Sequence, residues 1–151
     1  TQLDLLMLPE KFDLFYVDEN GQKQRPWVVH RAIFGSFERF IGIMLEHFNG
    51  ALPFWLSPVQ IKILTVNDKV ENYAKEIESS LKEKNIRIET DLRNESIGKK
   101  IREGEMQKIP YLLVLGEKEE KDKTVSVRER REGDKGSMKI EKFIEKIAQT
   151  R

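Results

Sequence analysis

Cysteine is absent from this 151-residue chain. Its absence excludes a disulfide framework and a thiolate metal site, and it is typical of proteins from a reducing compartment, so we expect a cytoplasmic protein. Long apolar runs are absent as well, since no stretch approaches the roughly 18 residues that a membrane span needs. An excess of one charge is also missing. The formal net charge is +1, so bulk charge gives no reason to expect DNA or RNA as a partner, and only local clusters can indicate one.

The composition that is present suits a folded core and a charged surface, with 38% hydrophobic and 35% charged residues. It changes once, at Asn49–Pro58, where Gly50, Pro53 and Pro58 disfavour helices and favour turns. We therefore predict a first segment over residues 1–50, a linker over 51–58 and a second domain over 59–151.

The first segment carries signals for an antiparallel hairpin followed by a helix. Asn20-Gly21, the usual type I′ pair, separates strand-like runs at Asp13–Val17 and Trp27–Phe34. A helix over Ser36–Phe48 follows, with Ser36 as its N-cap. Its apolar positions repeat at helical spacing and predict a face buried in a core: Phe37, Phe40, Ile41, Met44, Leu45 and Phe48.

Strands and helices alternate through the second segment in the order β-α-β-α-β-β-α. Predicted strands lie at Gln60–Val66, Ile86–Thr90, Tyr111–Gly116 and Thr124–Arg130, and predicted helices at Asp68–Lys84, at Ile97–Gln107 and after a cap at Ser137. The run PYLLVLG is continuously apolar, which is typical of a strand covered on both faces. A charged loop joins the last two strands, which we expect to be antiparallel. This order predicts a three-layer α/β/α domain with a mixed, mostly parallel sheet.

Two ionisable residues of the first segment are candidates for chemistry. His30 lies inside the apolar strand Trp27–Phe34. Arg39 falls in the first turn of the helix, where the helix dipole disfavours a cation, so its guanidinium is a candidate to stack on a flat ring or to meet a phosphate. The ordinary alternatives are a hydrogen-bonded, half-buried histidine and a surface ion pair of Arg39 with Glu38 or Glu46.

Three features of the second segment suggest RNA. Four cations surround one short helix: Arg93, Lys99, Lys100 and Arg102. The strand TVSVRER places Thr124, Ser126, Arg128 and Arg130 on the face opposite Val125 and Val127. Asn94 and Glu119 lie in loops near strand ends, where α/β sheets bind ligands. Such side chains read the base edges of single-stranded RNA. Because acidic residues interleave with both basic clusters, a solvated surface without function stays an alternative.

A long ordered resemblance extends these indications. RPWVVHRAIFGSFERFIGIMLEHFNGALPFWLSPVQ resembles motif 3 of the class II catalytic domain of bacterial-type threonyl-tRNA synthetases and its junction with the anticodon-binding domain. The similarity continues through DLRNESIGKKIREGEMQKIPYLLVLGEKE and VSVRERREGDKGSM and covers essentially the whole chain. It implies that residues 1–50 end a catalytic domain and that residues 59–151 form the anticodon-binding domain. The intact enzyme activates threonine with ATP and transfers it to tRNA.

The resemblance also implies roles in the catalytic part. His30 matches one of three zinc ligands, Arg39 matches the motif 3 arginine that packs on the ATP adenine, and Ser36 and Gln2 match residues of the substrate pocket. The two other zinc ligands and motifs 1 and 2 have no match in this chain, and one ligand cannot hold zinc. We therefore expect zinc, ATP with magnesium, and the homodimer to belong to the intact enzyme. The chain alone should be inactive.

In the second segment, the residues that match anticodon contacts are Asn94, Arg102, Glu119 and Arg128. Threonine codons share their first two bases, so the expected partner is the tRNA(Thr) anticodon loop that ends in G and U. A stand-alone, non-catalytic tRNA-binding accessory protein with the same fold is the alternative. A flavodoxin-like small-molecule domain is disfavoured, because the helix after VNDK is not opened by a glycine-rich phosphate loop.

Overall fold

The chain forms two compact units in a computed structural model that describes residues 2–4 and 7–148. The units are Thr1–Ile43 and Met44–Arg151. None of the helices in the described residues is long and apolar enough to span a membrane.

The first unit contains two small antiparallel ladders. Its elements are β1 (Gln2–Asp4), α1 (Met7–Lys11), β2 (Tyr16–Val17), β3 (Lys23–Gln24) and β4 (Val28–His30). β1 pairs with β4, and β2 pairs with β3. The predicted hairpin between Asp13–Val17 and Trp27–Phe34 is therefore wrong, because each of those runs pairs with a different strand.

The turn after β2 explains why the predicted pairing fails. Oδ1 of Asp18 accepts the backbone N–H groups of Asn20 and Gln22, both at 2.9 Å. Gly21 has a positive φ of 73° but Asn20 does not, whereas a type I′ turn needs a positive φ at both central residues. The Asp18 carboxylate thus organises a five-residue loop that pairs β2 with its near neighbour β3, and β4 pairs instead with β1.

Helix α2 (Phe37–His47) begins as predicted, since Oγ of Ser36 accepts the N–H of Arg39 at 3.2 Å. The prediction that its apolar face is buried is wrong. No residue of α2 is buried, and Phe37 is 68% exposed. Helical periodicity establishes that a face is apolar, but it does not establish that the same chain supplies the covering surface.

The second unit is a three-layer α/β/α domain, as predicted. Its elements are β5 (Ile61–Thr65), α3 (Glu71–Lys82), β6 (Ile88–Asp91), α4 (Ile97–Met106), β7 (Tyr111–Leu115), α5 (Glu117–Asp122), β8 (Val125–Glu129), β9 (Gly133–Met138) and α6 (Ile140–Ala148). Its sheet has the order β6-β5-β7-β8-β9 among the described residues. The three strands β6, β5 and β7 are parallel, whereas β8 is antiparallel to both of its neighbours, so the sheet is mixed.

Side-chain alternation along the strands creates two cores. On one face the sheet packs against α3 and α6, and this core includes Ile61, Ile63, Tyr73, Ala74, Ile77, Leu81, Leu113, Val127, Phe143 and Ile147. The inward positions predicted for Val125 and Val127 of β8 are thereby confirmed. On the other face, Leu64 and Leu112 pack against α4. No described helix covers that second face over β8 and β9, so their polar side chains remain partly exposed there.

Two elements of the second unit differ from the sequence-based expectation. The predicted charged loop after Gly116 contains the short helix α5. Ser137, predicted as a helix cap, lies in β9 opposite Ser126 of β8. β9 has almost no apolar side chains and contains Gly136 at a φ of 77°, so it lacks the alternation by which strands are recognised. It is held by backbone pairing at the sheet edge.

Residues 49–58, most of them predicted as a linker, are packed against the second unit. Phe54 is only 5% exposed, and its ring lies edge-on to Tyr111 with centroids 5.7 Å apart. Side chains of the domain donate to backbone carbonyls along this segment. Arg130 donates to Leu52 at 2.8 Å, Gln60 to Phe54 at 2.9 Å, and Arg87 to Trp55 and Ser57 at 2.7 and 3.0 Å. We call residues 49–58 the packed segment.

Candidate nucleic-acid interface

Arg128 lies on the sheet face that α4 leaves open. Its backbone pairs with that of Leu112, and its neighbours in β8, Val125 and Val127, point into the opposite core. The side chain is 30% exposed and forms part of a cleft of about 380 Å³. The cleft is lined by Glu105, Ile109, Leu112, Arg128, Glu129, Arg130, Arg131 and Gly133. It therefore combines an apolar floor with charged walls, which suits a flat polar ring.

The guanidinium of Arg128 has charged neighbours but unused hydrogen-bonding capacity. Nη2 lies 3.7 Å from Oε1 of Glu105, and Nη1 lies 3.9 Å from Oδ2 of Asp134. Both distances exceed those of hydrogen bonds. The Nε atom is buried and has no partner among the described residues. A buried donor without an acceptor is costly. The Nη groups, in contrast, belong to a side chain that is 30% exposed and make no hydrogen bond among the described residues, so they can meet an incoming acceptor.

Arg102 and Asn94 lie on and before α4. Arg102 is exposed in the middle of the helix, and Asn94 is exposed in the loop that follows β6. Neither side chain has a hydrogen-bond or ion-pair partner in the part of the chain that the structure describes. Both can therefore reach a ligand without first breaking an internal contact.

The other three cations of the predicted basic cluster form hydrogen bonds or ion pairs within the protein. The prediction that four cations around α4 form an RNA-binding cluster is therefore corrected. Arg93 donates to Asp91 at 2.6 Å and to Glu103 at 2.5 Å. The hydrogen bonds from Arg93 to Asp91 lower the pKa of Asp91 to about 2. Lys99 pairs with Glu95 at 2.6 Å.

Lys100 is a structural residue. Its side chain is buried, and Nζ donates to the carbonyl oxygens of Thr65 at 2.9 Å and of Asp91 at 3.2 Å. Burial lowers the pKa of its ammonium group. The lysine thus joins the ends of β5 and β6, and of the four cations only Arg102 remains available for RNA.

Glu119 belongs to a helix rather than to the predicted loop. It occupies the third position of α5, and its Oε2 accepts the N–H of Gly116 at 3.0 Å, so it caps its own helix. The second carboxylate oxygen has no partner among the described residues. Asn94 and Glu119 follow β6 and β7, the strands on either side of β5, whereas Arg128 lies opposite Leu112 near the start of β7. No hydrogen bond or ion pair joins any two of the four predicted contact residues within the described chain.

Arg130 was predicted to share a polar strip with Arg128, but its side chain has a structural role. Nη1 donates to the carbonyl of Lys108 at 2.6 Å, and Nη2 donates to that of Leu52 at 2.8 Å. Burial lowers the pKa of Arg130. It fixes the packed segment to the end of β8. Sequence alone gives no signal that separates this arginine from Arg128 two positions earlier.

The first unit places two of its predicted site residues opposite each other. The backbone of Gln2 pairs with that of His30, although the side chain of Gln2 lies outside the described residues. His30 and Arg39 are exposed, and Ser36 caps α2. Within residues 2–4 and 7–148, no three or more His, Asp or Glu residues are arranged to hold a metal ion. The residues present therefore do not fit zinc, and the roles of these four residues stay predictions.

Comparison with known proteins identifies the family to which the second unit belongs. Residues 60–150 match the family model of the anticodon binding domain. The chain belongs to this family. The anticodon-binding domain thus corresponds to the sheet, its helices and the cleft at Arg128.

Similar proteins agree with this assignment. Threonine–tRNA ligases of Clostridium kluyveri, Clostridium tetani and Acetivibrio thermocellus are 54%, 53% and 52% identical to this chain, over 97%, 97% and 98% of its length. The chain spans 23% of the length of each of these relatives. A solved structure, the RNA binding domain of threonyl-tRNA synthetase from Cryptosporidium parvum, is 38% identical with a TM-score of 0.73. The match covers 99% of this chain and 38% of that one.

Proposed function

We propose that this chain is the part of a threonine–tRNA ligase that recognises the anticodon loop of tRNA(Thr). The observation that carries the proposal is Arg128, whose Nη groups make no hydrogen bond among the described residues and which lines an open cleft in an anticodon-binding domain. The similarity to threonine–tRNA ligases supports threonine as the amino acid of the cognate tRNA.

The chemistry of the surface fits bases in a single-stranded loop. Arg128, Arg102 and Asn94 supply donors for the acceptor atoms of guanine and uracil, while the second carboxylate oxygen of Glu119 accepts from a base N–H group. Unstacked loop bases present these edges, whereas the narrow major groove of a double-stranded RNA hides them. The anticodon bases G and U shared by threonine tRNAs are therefore the proposed ligands.

The remaining roles concern the intact enzyme. Residues 1–50 are proposed as the end of its catalytic domain, residues 51–58 as the junction and residues 59–151 as the anticodon-binding domain. In the complete ligase, Arg39 would pack on ATP, Ser36 and Gln2 would line the substrate pocket, and His30 would be one of the ligands of zinc. In that enzyme, His30 and the other ligands would hold a zinc ion that would supply a Lewis acid for orienting threonine. Magnesium, the homodimer and a cytoplasmic location likewise belong to the complete enzyme, and this chain alone is proposed to bind tRNA without aminoacylating it.

A stand-alone accessory protein is not favoured as an alternative, because the similar proteins are threonine–tRNA ligases rather than short tRNA-binding proteins.

Replacing Arg128 by alanine should weaken binding of an anticodon stem-loop ending in G-U by about 5- to 150-fold, equivalent to roughly 1–3 kcal/mol for a good base-edge contact. The measurement is fluorescence anisotropy with a labelled stem-loop. Lys75→Ala is the control, because Lys75 is an exposed cation on α3, a helix that packs on the opposite face of the sheet. Equal affinity of wild type and Arg128→Ala, or an equal loss in the control, would refute the proposed role.

A further inference from the structure

Two carboxylates face Arg128, and neither was assigned a role by sequence. Glu105 lies in the last turn of α4, and Asp134 lies in β9. Their nearest oxygens are 3.7 and 3.9 Å from the guanidinium nitrogens. The Glu105 side chain is 58% exposed and that of Asp134 is 59% exposed, so neither is needed to fill the core. Elements on two sides of β8 thus supply one negative charge each to the same arginine.

The two nearby carboxylates determine which kind of ligand group, phosphate or base edge, Arg128 favours. An isolated exposed guanidinium is a good phosphate ligand. Here the one positive charge of Arg128 has two negative charges within about 4 Å, from Glu105 and Asp134. A phosphate that approaches Arg128 must also approach both carboxylates, which repel it. A base edge carries no net charge and meets no such repulsion.

The distances favour a base edge for a second reason. Because neither carboxylate is within hydrogen-bonding distance, the donors of Arg128 are not already used. A neutral acceptor such as a base carbonyl can bind the guanidinium without displacing an internal hydrogen bond. Arg131 lines the same cleft and is exposed, so a phosphate can still meet a cation beside the base.

We propose that Glu105 and Asp134 are specificity determinants that keep phosphate away from Arg128 and reserve this arginine for a base edge. The proposal rests on the proposed function, namely that this surface binds an anticodon loop. It predicts that the two carboxylates reduce affinity for RNA in general while they increase the preference for the correct loop.

The test compares Glu105→Gln, Asp134→Asn and the double variant with wild type. Both substitutions keep an amide oxygen in place of the carboxylate. This matters at Asp134, whose Oδ1 accepts the N–H of Gly136 at 2.7 Å. Glu76→Gln is the matched control. Glu76 pairs with Lys123 at 3.6 Å with both side chains 67% exposed, and it lies on α3, which packs on the other face of the sheet. The control changes the net charge by the same amount as each single variant.

Affinity is measured for a stem-loop with the G-U anticodon and for one with scrambled loop bases, between about 50 and 200 mM salt. In the double variant, we expect the scrambled loop to bind roughly tenfold more tightly and the ratio of the two affinities to fall about fivefold or more. We also expect the slope of log affinity against log salt for the scrambled loop to steepen by about 1, as for one added phosphate contact. The Glu76→Gln control should leave the ratio unchanged.

The outcomes separate this proposal from the one on which it rests. If wild type prefers the G-U loop and the double variant keeps the same preference, the role of Glu105 and Asp134 is refuted while anticodon recognition stands. If wild type shows no preference between the two loops, anticodon recognition is refuted and the specificity role is refuted with it. A fall in the ratio that the Glu76→Gln control reproduces would also refute the role, because it would reflect net charge alone.

Discussion

Replacing Phe54 by alanine should lower the free energy of unfolding of the second unit by about 3–5 kcal/mol, the range for deleting a buried phenylalanine side chain. Phe54 is 5% exposed and belongs to the core that α3 and α6 share with the sheet. Its edge-on contact with Tyr111 is lost as well. The effect is large although Phe54 lies outside residues 60–150, which match the family model.

Trp55→Ala is the control for this prediction. Trp55 follows Phe54 in the short helical turn Phe54–Leu56, but it is 59% exposed. The substitution leaves unchanged the backbone carbonyl of Trp55 that accepts from Arg87. Urea unfolding followed by circular dichroism measures both variants. If the two variants lose the same stability, or if Phe54→Ala loses less than about 1 kcal/mol, the packed segment is a linker after all and not part of the domain.

Gly104→Ala should destabilise the domain relative to Gly98→Ala by about 1–3 kcal/mol, the cost of overpacking a core. Both glycines lie in α4, and alanine favours the helix at each of them, by up to about 1 kcal/mol. A Cβ at Gly104 would lie 2.7 Å from Cδ2 of Leu112, whereas a Cβ at Gly98 has no neighbour within 4 Å. The difference between the two variants therefore isolates the close contact of α4 with the sheet.

This contact also bears on RNA binding. Leu112 lines the cleft and pairs with Arg128, and Glu105 directly follows Gly104. A displaced α4 would move Glu105 and Arg102 relative to β8. Urea unfolding of the two variants measures the stability difference. Equal stability of Gly104→Ala and Gly98→Ala would contradict the helix–sheet distance in the structure.

Regular periodicity made much of the second unit predictable. The apolar residues of α3 recur at helical spacing, and Val125 and Val127 alternate with polar residues along β8. Such local repeats show which side chains of an element face the core, so these core positions can be read from the sequence. β9 was missed because Gly133–Met138 is stabilised by backbone pairing at an edge and has no apolar alternation to read. The hairpin was predicted wrongly because the prediction relied on the turn pair Asn20-Gly21. The loop conformation is determined instead by the Asp18 carboxylate, which accepts two backbone N–H groups.

The chemistry of the cations was less predictable than the fold. Lys100, Arg93 and Arg130 resemble Arg102 and Arg128 in sequence, yet the first three are bonded within the protein. Which arginine meets a carbonyl or a carboxylate depends on contacts between residues far apart in the chain, such as Arg130 with Leu52. The resemblance to a synthetase family pointed to Arg102 and Arg128. In the structure the neighbouring cations Lys100, Arg93 and Arg130 are hydrogen-bonded within the protein, whereas Arg102 and Arg128 donate no side-chain hydrogen bond among the described residues and can meet RNA.

The most direct test of anticodon recognition by this surface is a titration of the isotope-labelled chain with a G-U anticodon stem-loop, followed by backbone amide chemical shifts. At 17.8 kDa the chain is suitable for such spectra. Recognition as proposed predicts changes centred on Asn94, Arg102, Glu119 and Arg128, with α3 and α6 unaffected. Changes centred on α3 and α6, or identical changes with a loop of scrambled bases, would contradict it.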